Sequence, residues 1–302
     1  MAGYGYSIPA NVTPFTPGGL EVDLDWFPKH LAYLKRWGAD GVLAMGTNGE
    51  GPSLAMADRK AIVDVVMAHH GSLVVLAGTG CAAMPDTIEI SRYALDRGVD
   101  AIMVVPPFYF KDLTPRGLAE YYRTLMRSIP SDGKVFLYNI PAVSGVEISD
   151  ELVDVLVAEF PSQIVGIKDT SGDIDRTRRY VERYPGLAIY SGNDFLVAGS
   201  LRVGSTGAIS AAANVFPDLV GDVCRAFREG GDVDKAQERL TKVRDLFKKY
   251  PNRSFTKHLL HIVGGLPLTH VRPPLTELTP EQVEELRRDA DALVATLGAV
   301  RA

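Results

Sequence analysis

Runs of β-branched and other apolar residues recur along the chain at 6–12, 41–45, 73–77, 101–105, 134–138, 163–167, 187–190 and 206–210, punctuated by glycine and proline. Most are apolar on consecutive rather than alternate positions, the pattern of strands covered on both faces. Between them the apolar positions take the three-and-four spacing of helices. Leu118, Tyr122, Leu125 and Ile129 form one stripe behind Thr114-Pro115, a cap followed by a proline at the first helical position. Asp86 ahead of Thr87-Ile88-Glu89 reads as a variant capping box, with Gly98 closing that helix. Eight strands alternating with helices predict a parallel sheet with helices packed outside it, and eight units suit a (β/α)8 barrel, a TIM barrel. A doubly wound open sheet is the competing arrangement.

After the eighth run the pattern is helical only, over 217–229, 234–249, 255–263 and 279–297, the last opened by Thr279, Pro280 and Gln282. The chain therefore divides into a barrel core, 1–214, and a last barrel helix with a C-terminal helical extension, 215–302. No low-complexity linker separates the two, so the extension is expected to pack on the barrel.

Composition narrows the function classes. With 302 residues, 46% of them hydrophobic, the chain can bury a barrel-sized core. A net charge of −5 with both signs interspersed gives no electrostatic reason to expect nucleic acid or an anionic membrane as partner. Neither an apolar run of about 18 residues nor a charged-then-apolar leader occurs, which favours a cytoplasmic protein. Cys81 and Cys224 are too few and too far apart for a redox or metal motif and read as reduced packing residues.

In a barrel the active face is built where strands end. The candidate polar groups gather there: Thr47, Asn48 and Glu50 after the second run, Tyr109 after the fourth, Tyr138 and Asn139 at the fifth, Lys168-Asp169 at the sixth, and Ser191 to Asp194 at the seventh. Lys134 begins the fifth run and belongs to the opposite face. Lys168 directly follows an apolar stretch, where it either leans outward to pair with Asp169 or another carboxylate, or is retained for its chemistry. A lysine amine attacks a ketone only when unprotonated, and apolar burial disfavours the ammonium. An imine also needs a proton carrier, for which the phenol of Tyr138 on the adjacent strand is placed, although a core tyrosine reads the same way. The turn GTNGE, 46–50, offers backbone N–H groups, the Thr47 hydroxyl and the Asn48 amide to the carboxylate of a 2-keto acid, with Gly46 and Gly49 expected to make the turn inexpensive; an ordinary strand-to-helix turn is the alternative.

Three other chemistries are disfavoured. Gly78 to Ala83 formally matches a dinucleotide fingerprint, but Asp100, the acid about twenty positions on, begins a strand instead of ending one. His258 and His261 are spaced to share a helix face, and a packed or solvated pair is favoured over a metal site. A GxSxG nucleophile elbow is absent.

Taken together, GTNGE, PPFY, YNIPAVSG, GIKDTSGD and SGND, in this order and at barrel-unit spacing, resemble the dihydrodipicolinate synthase and N-acetylneuraminate lyase family of class I aldolases, over about residues 6 to 295. The resemblance implies a (β/α)8 barrel with a C-terminal helical extension, a homotetramer or dimer of dimers, and no metal or organic cofactor. It implies that Lys168 forms the Schiff base, that Tyr138 shuttles protons, that Thr47 completes a relay and carboxylate site, and that Tyr109 reaches towards a neighbouring subunit's site. Asn48 stands where a second hydroxyl residue is common. Gly192 and Ile209 match positions whose backbone lines the pyruvyl pocket, and Asp194 and Val143 lie at substrate-binding positions. The synthase branch carries an arginine where this chain has Val143, and an isopropyl group cannot replace a guanidinium on a carboxylate. The sialate lyases carry an acid where this chain has Phe195 and a serine where it has Ala211. The expected activity is thus reversible cleavage of a 4-hydroxy-2-keto acid, such as a 2-keto-3-deoxy sugar acid or a less polar relative, to pyruvate and an aldehyde. Dehydration of such an acid, 4-hydroxy-tetrahydrodipicolinate synthesis, or a noncatalytic metabolite-binding barrel are the alternatives.

Overall fold

The computed structural model describes residues 3–298, so positions 299–302 of the expected extension lie outside the described residues. Each apolar run becomes a strand: β1 (Ser7–Pro9), β2 (Gly41–Ala44), β3 (Val74–Gly78), β4 (Ala101–Val104), β5 (Val135–Asn139), β6 (Ile164–Asp169), β7 (Ala188–Ser191) and β8 (Gly207–Ser210). Every pairing is parallel, in the order β1-β8-β7-β6-β5-β4-β3-β2, and the ring closes through a parallel bridge between Ala10 and Leu43, with Asn11 N–H donating to Leu43 O at 2.8 Å. Closure decides for the barrel and against the open sheet.

The consecutive apolar pattern follows from two cores meeting at each strand. Ile8, Leu43, Leu76, Met103, Phe136 and Ile209 fill the barrel interior, while their sequence neighbours, such as Val42, Val75, Ile102 and Leu137, pack outward against the helices. Crossovers are made by α1 (Phe27–Arg36), α2 (Met56–His69), α3 (Met84–Asp96), α4 (Pro115–Ser128), the single turn α5 (Pro141–Ser144) with α6 (Asp150–Glu159), α7 (Ile174–Arg183) and α8 (Val197–Arg202), and α9 (Pro217–Glu229) follows the last strand. The α4 reading holds in detail: Thr114 Oγ1 accepts from Gly117 N–H, and Leu118, Tyr122 and Leu125 are buried. At α3 the boundary differs. Ala83 is the N-cap with Pro85 in the first turn, and Asp86 lies inside that turn, where its charge favours the helix N-terminus; Gly98 takes the left-handed conformation, as expected.

The extension comprises α10 (Val233–Phe247), α11 (Asn252–Gly264) and α12 (Pro280–Leu297), and Thr279 with Gln282 forms the expected capping box. Phe255, Leu259, Leu260, Leu286 and Ala290 are buried in the same outer core as the barrel helices, so the extension is packed onto the barrel. Among the described residues no helix is long and apolar enough to cross a membrane.

Candidate active site

β5 and β6 pair with Tyr138 opposite Lys168, both in the strand phase that faces the barrel interior. Gly166, two residues before the lysine in the same phase, explains what lies beneath it. A Cβ there would come 2.2 Å from Phe136 Cε1, so the absent side chain makes room for the Phe136 ring. That ring packs edge-on against Tyr4 and Tyr190, with centroids at 5.0 and 5.8 Å. Lys168 therefore stands on an aromatic floor, only 4% exposed, with Nζ 4.3 Å from the Tyr138 ring centroid. Thr47 Oγ1 donates to Tyr138 Oη at 3.4 Å.

The outward-leaning alternative for Lys168 is overturned by where Asp169 points. Its carboxylate faces the other side of β6 and is engaged by Asn139 Nδ2 at 2.8 Å, Ser171 Oγ at 2.8 Å and Ser171 N–H at 3.1 Å. Lys134, at the opposite rim, donates to Ser162 O and takes no part.

Gly192, just past β7, crowds the lysine from the other side. A Cβ there would lie 2.1 Å from Thr170 Oγ1 and 3.1 Å from Lys168 Cε. The Thr170 hydroxyl is buried beside the lysine and has no hydrogen-bond partner. Such a group is expensive to bury unless something arrives to satisfy it. Thr170 is a site residue that the motif reading passed over; its signal was a hydroxyl two positions beyond the lysine, in the same strand phase.

The GTNGE turn is built differently from the expectation. Left-handed backbone falls on Met45 and Glu50, at φ 57° and 55°, and not on its glycines. The glycines permit close approach instead: a Cβ on Gly49 would lie 2.7 Å from Asn11 O. Left-handed non-glycine residues carry strain and persist only when the surroundings hold them. For Glu50 the extension does so. Lys257 of α11, wholly buried, donates to Glu50 Oε1 at 2.5 Å and to His270 O, and Arg272 N–H donates to Glu50 Oε2 at 3.0 Å. Burial pushes the Lys257 pKa down to about 8 against the opposing pull of Glu50. Arg253 Nε donates to Thr47 O at 3.4 Å, fixing the same turn near the Thr47 hydroxyl. Neither Lys257 nor Arg253 was legible as part of the site, because both come from a helix more than two hundred positions away in sequence.

The remaining expected residues separate into two groups. Ile209 lines the barrel interior, and Asp194 is buried, accepting from Ser210 Oγ and from Ala212 N–H at 3.4 Å, with Arg244 Nε 4.0 Å away. Burial raises the Asp194 pKa, while Ser210, Arg244 and, through space, Lys168 oppose it. Asn48 lies at the turn, but its amide N–H goes to Ala10 O at 2.9 Å, and its Oδ1 is buried without a partner. Tyr109 is not brought to this cluster: it is 75% exposed, edge-on to Phe110. Val143 is also exposed, at the rim of a cavity of about 90 Å³ whose wall includes Thr47 and Tyr138. Tyr138 is thus shared between the lysine and the cavity. Gly78 and Gly80 of the fingerprint-like stretch line this same cavity, pressed against Met45 and Val105, which is the use the structure makes of them. His258 and His261 are engaged with Glu277 and Leu266 O, and among the described residues no group of three or more potential ligands could hold a metal.

Comparison with known proteins brings in the family. A model described as "Dihydrodipicolinate synthetase family" matches residues 4–293. An "Uncharacterized DapA-like lyase" from Chloroflexus aurantiacus is 44% identical over 288 residues, covering 95% of this chain and 96% of that protein. A 4-hydroxy-tetrahydrodipicolinate synthase from Methanopyrus kandleri is 33% identical over 292 residues, covering 95% of each. Among solved structures, YagE from E. coli K12, a member of the dihydrodipicolinic acid synthase family solved in complex with pyruvate, superposes with a TM-score of 0.88 at 28% identity, covering 98% of this chain and 99% of that one.

Proposed function

The chain belongs to the dihydrodipicolinate synthetase family and is a lyase, and from that premise we propose that it cleaves and forms a carbon–carbon bond next to pyruvate through an imine on Lys168. The observation that carries this reading is the buried Lys168 amine facing a phenol that is itself hydrogen-bonded to Thr47. YagE, which matches along nearly its whole length, has been seen with pyruvate bound.

In the condensing direction, the unprotonated Nζ attacks the keto carbon of pyruvate, and the carbinolamine oxygen leaves as water after taking a proton from Tyr138 Oη. Loss of a methyl proton to the phenolate gives the enamine. Its terminal carbon attacks the aldehyde carbon, the aldehyde oxygen takes the phenol proton, and water hydrolyses the iminium to a 4-hydroxy-2-keto acid and free lysine. Cleavage is the reverse, with the iminium as electron sink. Thr47, joined to the phenol, relays the proton. The Thr170 hydroxyl is free to bond a substrate oxygen beside the imine, and the backbone near Gly192 and Ile209 encloses the pyruvyl group; donors for its carboxylate come from the GTNGE backbone, while the Asn48 amide is anchored through one N–H to Ala10 O. No cofactor is required by this scheme.

The relatives named 4-hydroxy-tetrahydrodipicolinate synthase favour that activity as the alternative, but Val143 brings no cation to the cavity rim for a carboxyl-bearing acceptor. Tyr109 and Phe110, exposed together, are assigned to contact between copies of the chain in a dimer of dimers, with Tyr109 serving the neighbouring site. The mechanism is tested by exchange of the pyruvate methyl protons in D2O: the native protein washes deuterium into the methyl group, and Lys168→Ala does not. Exchange that survives Lys168→Ala excludes the lysine enamine.

A further inference from the structure

The cavity beside Tyr138 has a wall unsuited to a sugar. Of its fifteen wall residues only Thr47, Tyr138 and Ser144 carry a polar side chain, and none is charged. Two of those three are already engaged: Thr47 Oγ1 donates to the phenol, and Ser144 Oγ is held by its own loop through Ile140 O, Val146 O and Val146 N–H. Only the phenol remains to receive an aldehyde oxygen. The rest is Leu43, Met45, Met103, Val105, Phe108 and Val143, together with glycines whose missing side chains deepen the space. The wall is also pre-shaped. Lys111, outside it, donates through Nζ to both Phe108 O and Ser144 O, tying the loop after β4 to the loop after β5 and spending its charge on backbone carbonyls.

Resting on the Lys168 imine reading, we propose that the acceptor is an aldehyde with an apolar side chain, a branched alkyl or small aryl group, seated in this cavity with its carbonyl oxygen on Tyr138. A hydroxyl carried into this wall would lose its water partners and find no uncommitted side chain but the phenol, whereas an alkyl or aryl group gains by the transfer. A cavity of about 90 Å³, open at the Val143 rim, admits a group of that size.

The test is a set of condensations with pyruvate: isobutyraldehyde and benzaldehyde against glyceraldehyde and succinic semialdehyde, with the pyruvate imine on Lys168 trapped in parallel. An advantage in kcat/KM of about 10- to 100-fold for the apolar pair is expected, the scale of leaving one hydroxyl unpaired. Val143→Arg is expected to shift the ratio at least several-fold towards succinic semialdehyde. A trapped imine accompanied by equal or faster reaction of the hydroxyl- or carboxyl-bearing aldehydes, or by no reaction of either apolar one, overturns the acceptor assignment while leaving the lysine chemistry standing. Absence of the imine removes the reading on which it rests.

Discussion

Replacing Gly192 by alanine is the smallest change that presses directly on Lys168, the lysine proposed to form the imine. The added carbon would sit 2.1 Å from Thr170 Oγ1, 3.0 Å from Thr170 Cβ and 3.1 Å from Lys168 Cε. The hydroxyl can swing away, but the threonine Cβ is fixed by the backbone, so β6 and the stretch after β7 must part by a few tenths of an ångström. Overpacking of this kind costs about 1–3 kcal/mol. For a chain this long that is a fall in Tm of roughly 2–6 °C. The activity effect should be larger than the stability effect, because the displaced atom is one bond from the nitrogen proposed to attack pyruvate, and misplacement of a reacting group by about 1 Å costs on the order of 100-fold. A tenfold or greater loss of kcat/KM is expected for Gly192→Ala, measured by pyruvate release from a 4-hydroxy-2-keto acid. Thr170→Ala in the same chain removes the closest clash and should recover part of the Tm but not the rate, since it also deletes the hydroxyl beside the imine. A Gly192→Ala protein with native Tm and native rate would refute the reasoning about this contact.

Lys168→Ala is expected to keep a folded circular dichroism spectrum while losing turnover, whereas Tyr138→Phe still forms the imine but is slowed by about 10²- to 10⁴-fold, the range for a lost proton carrier; full activity in Tyr138→Phe would contradict its role. Glu50→Gln leaves Lys257 buried without its counter-charge and should destabilise by about 3–5 kcal/mol in urea unfolding, while the double change Glu50→Gln with Lys257→Met should be milder than that single one. His30 is fully buried, with Nε2 placed to donate to Asn214 O at 3.1 Å, and burial lowers its pKa from 6.5 to about 4. The unfolded chain therefore binds the extra proton between those values, so the stability from neutral His30 is complete above pH 6.5 and falls by roughly 3 kcal/mol as the pH drops through 4. Unfolding curves across that range, repeated with His30→Gln, should show the slope in the native chain and its reduction in the variant.

The barrel was legible because its strands are covered on both faces, which makes consecutive apolar runs such as 101–105 and 163–167 stand out, and because helix ends such as Thr114-Pro115 and Thr279-Gln282 carry their own capping chemistry. Closure was not legible: it depends on Ala10 meeting Leu43, and no local pattern encodes that meeting. At the site, Lys168 and Tyr138 could be paired from adjacent strand ends, since register brings neighbours in a parallel barrel to the same height. The support of the GTNGE turn was misread. Glycine suggested where the backbone would bend, yet the left-handed residues are Met45 and Glu50, and what holds Glu50 is a buried lysine from α11, an interaction visible only in three dimensions. Thr170 escaped notice for a related reason, since a hydroxyl in a serine- and threonine-rich turn looks ordinary until its burial without a partner is seen.

Reduction with borohydride in the presence of pyruvate, followed by peptide mass mapping, tests the central claim most directly. A single reduced pyruvyl group on the peptide that carries Lys168 is the result this account predicts. Modification confined to other lysines, or a protein recovered with unchanged mass, would contradict it.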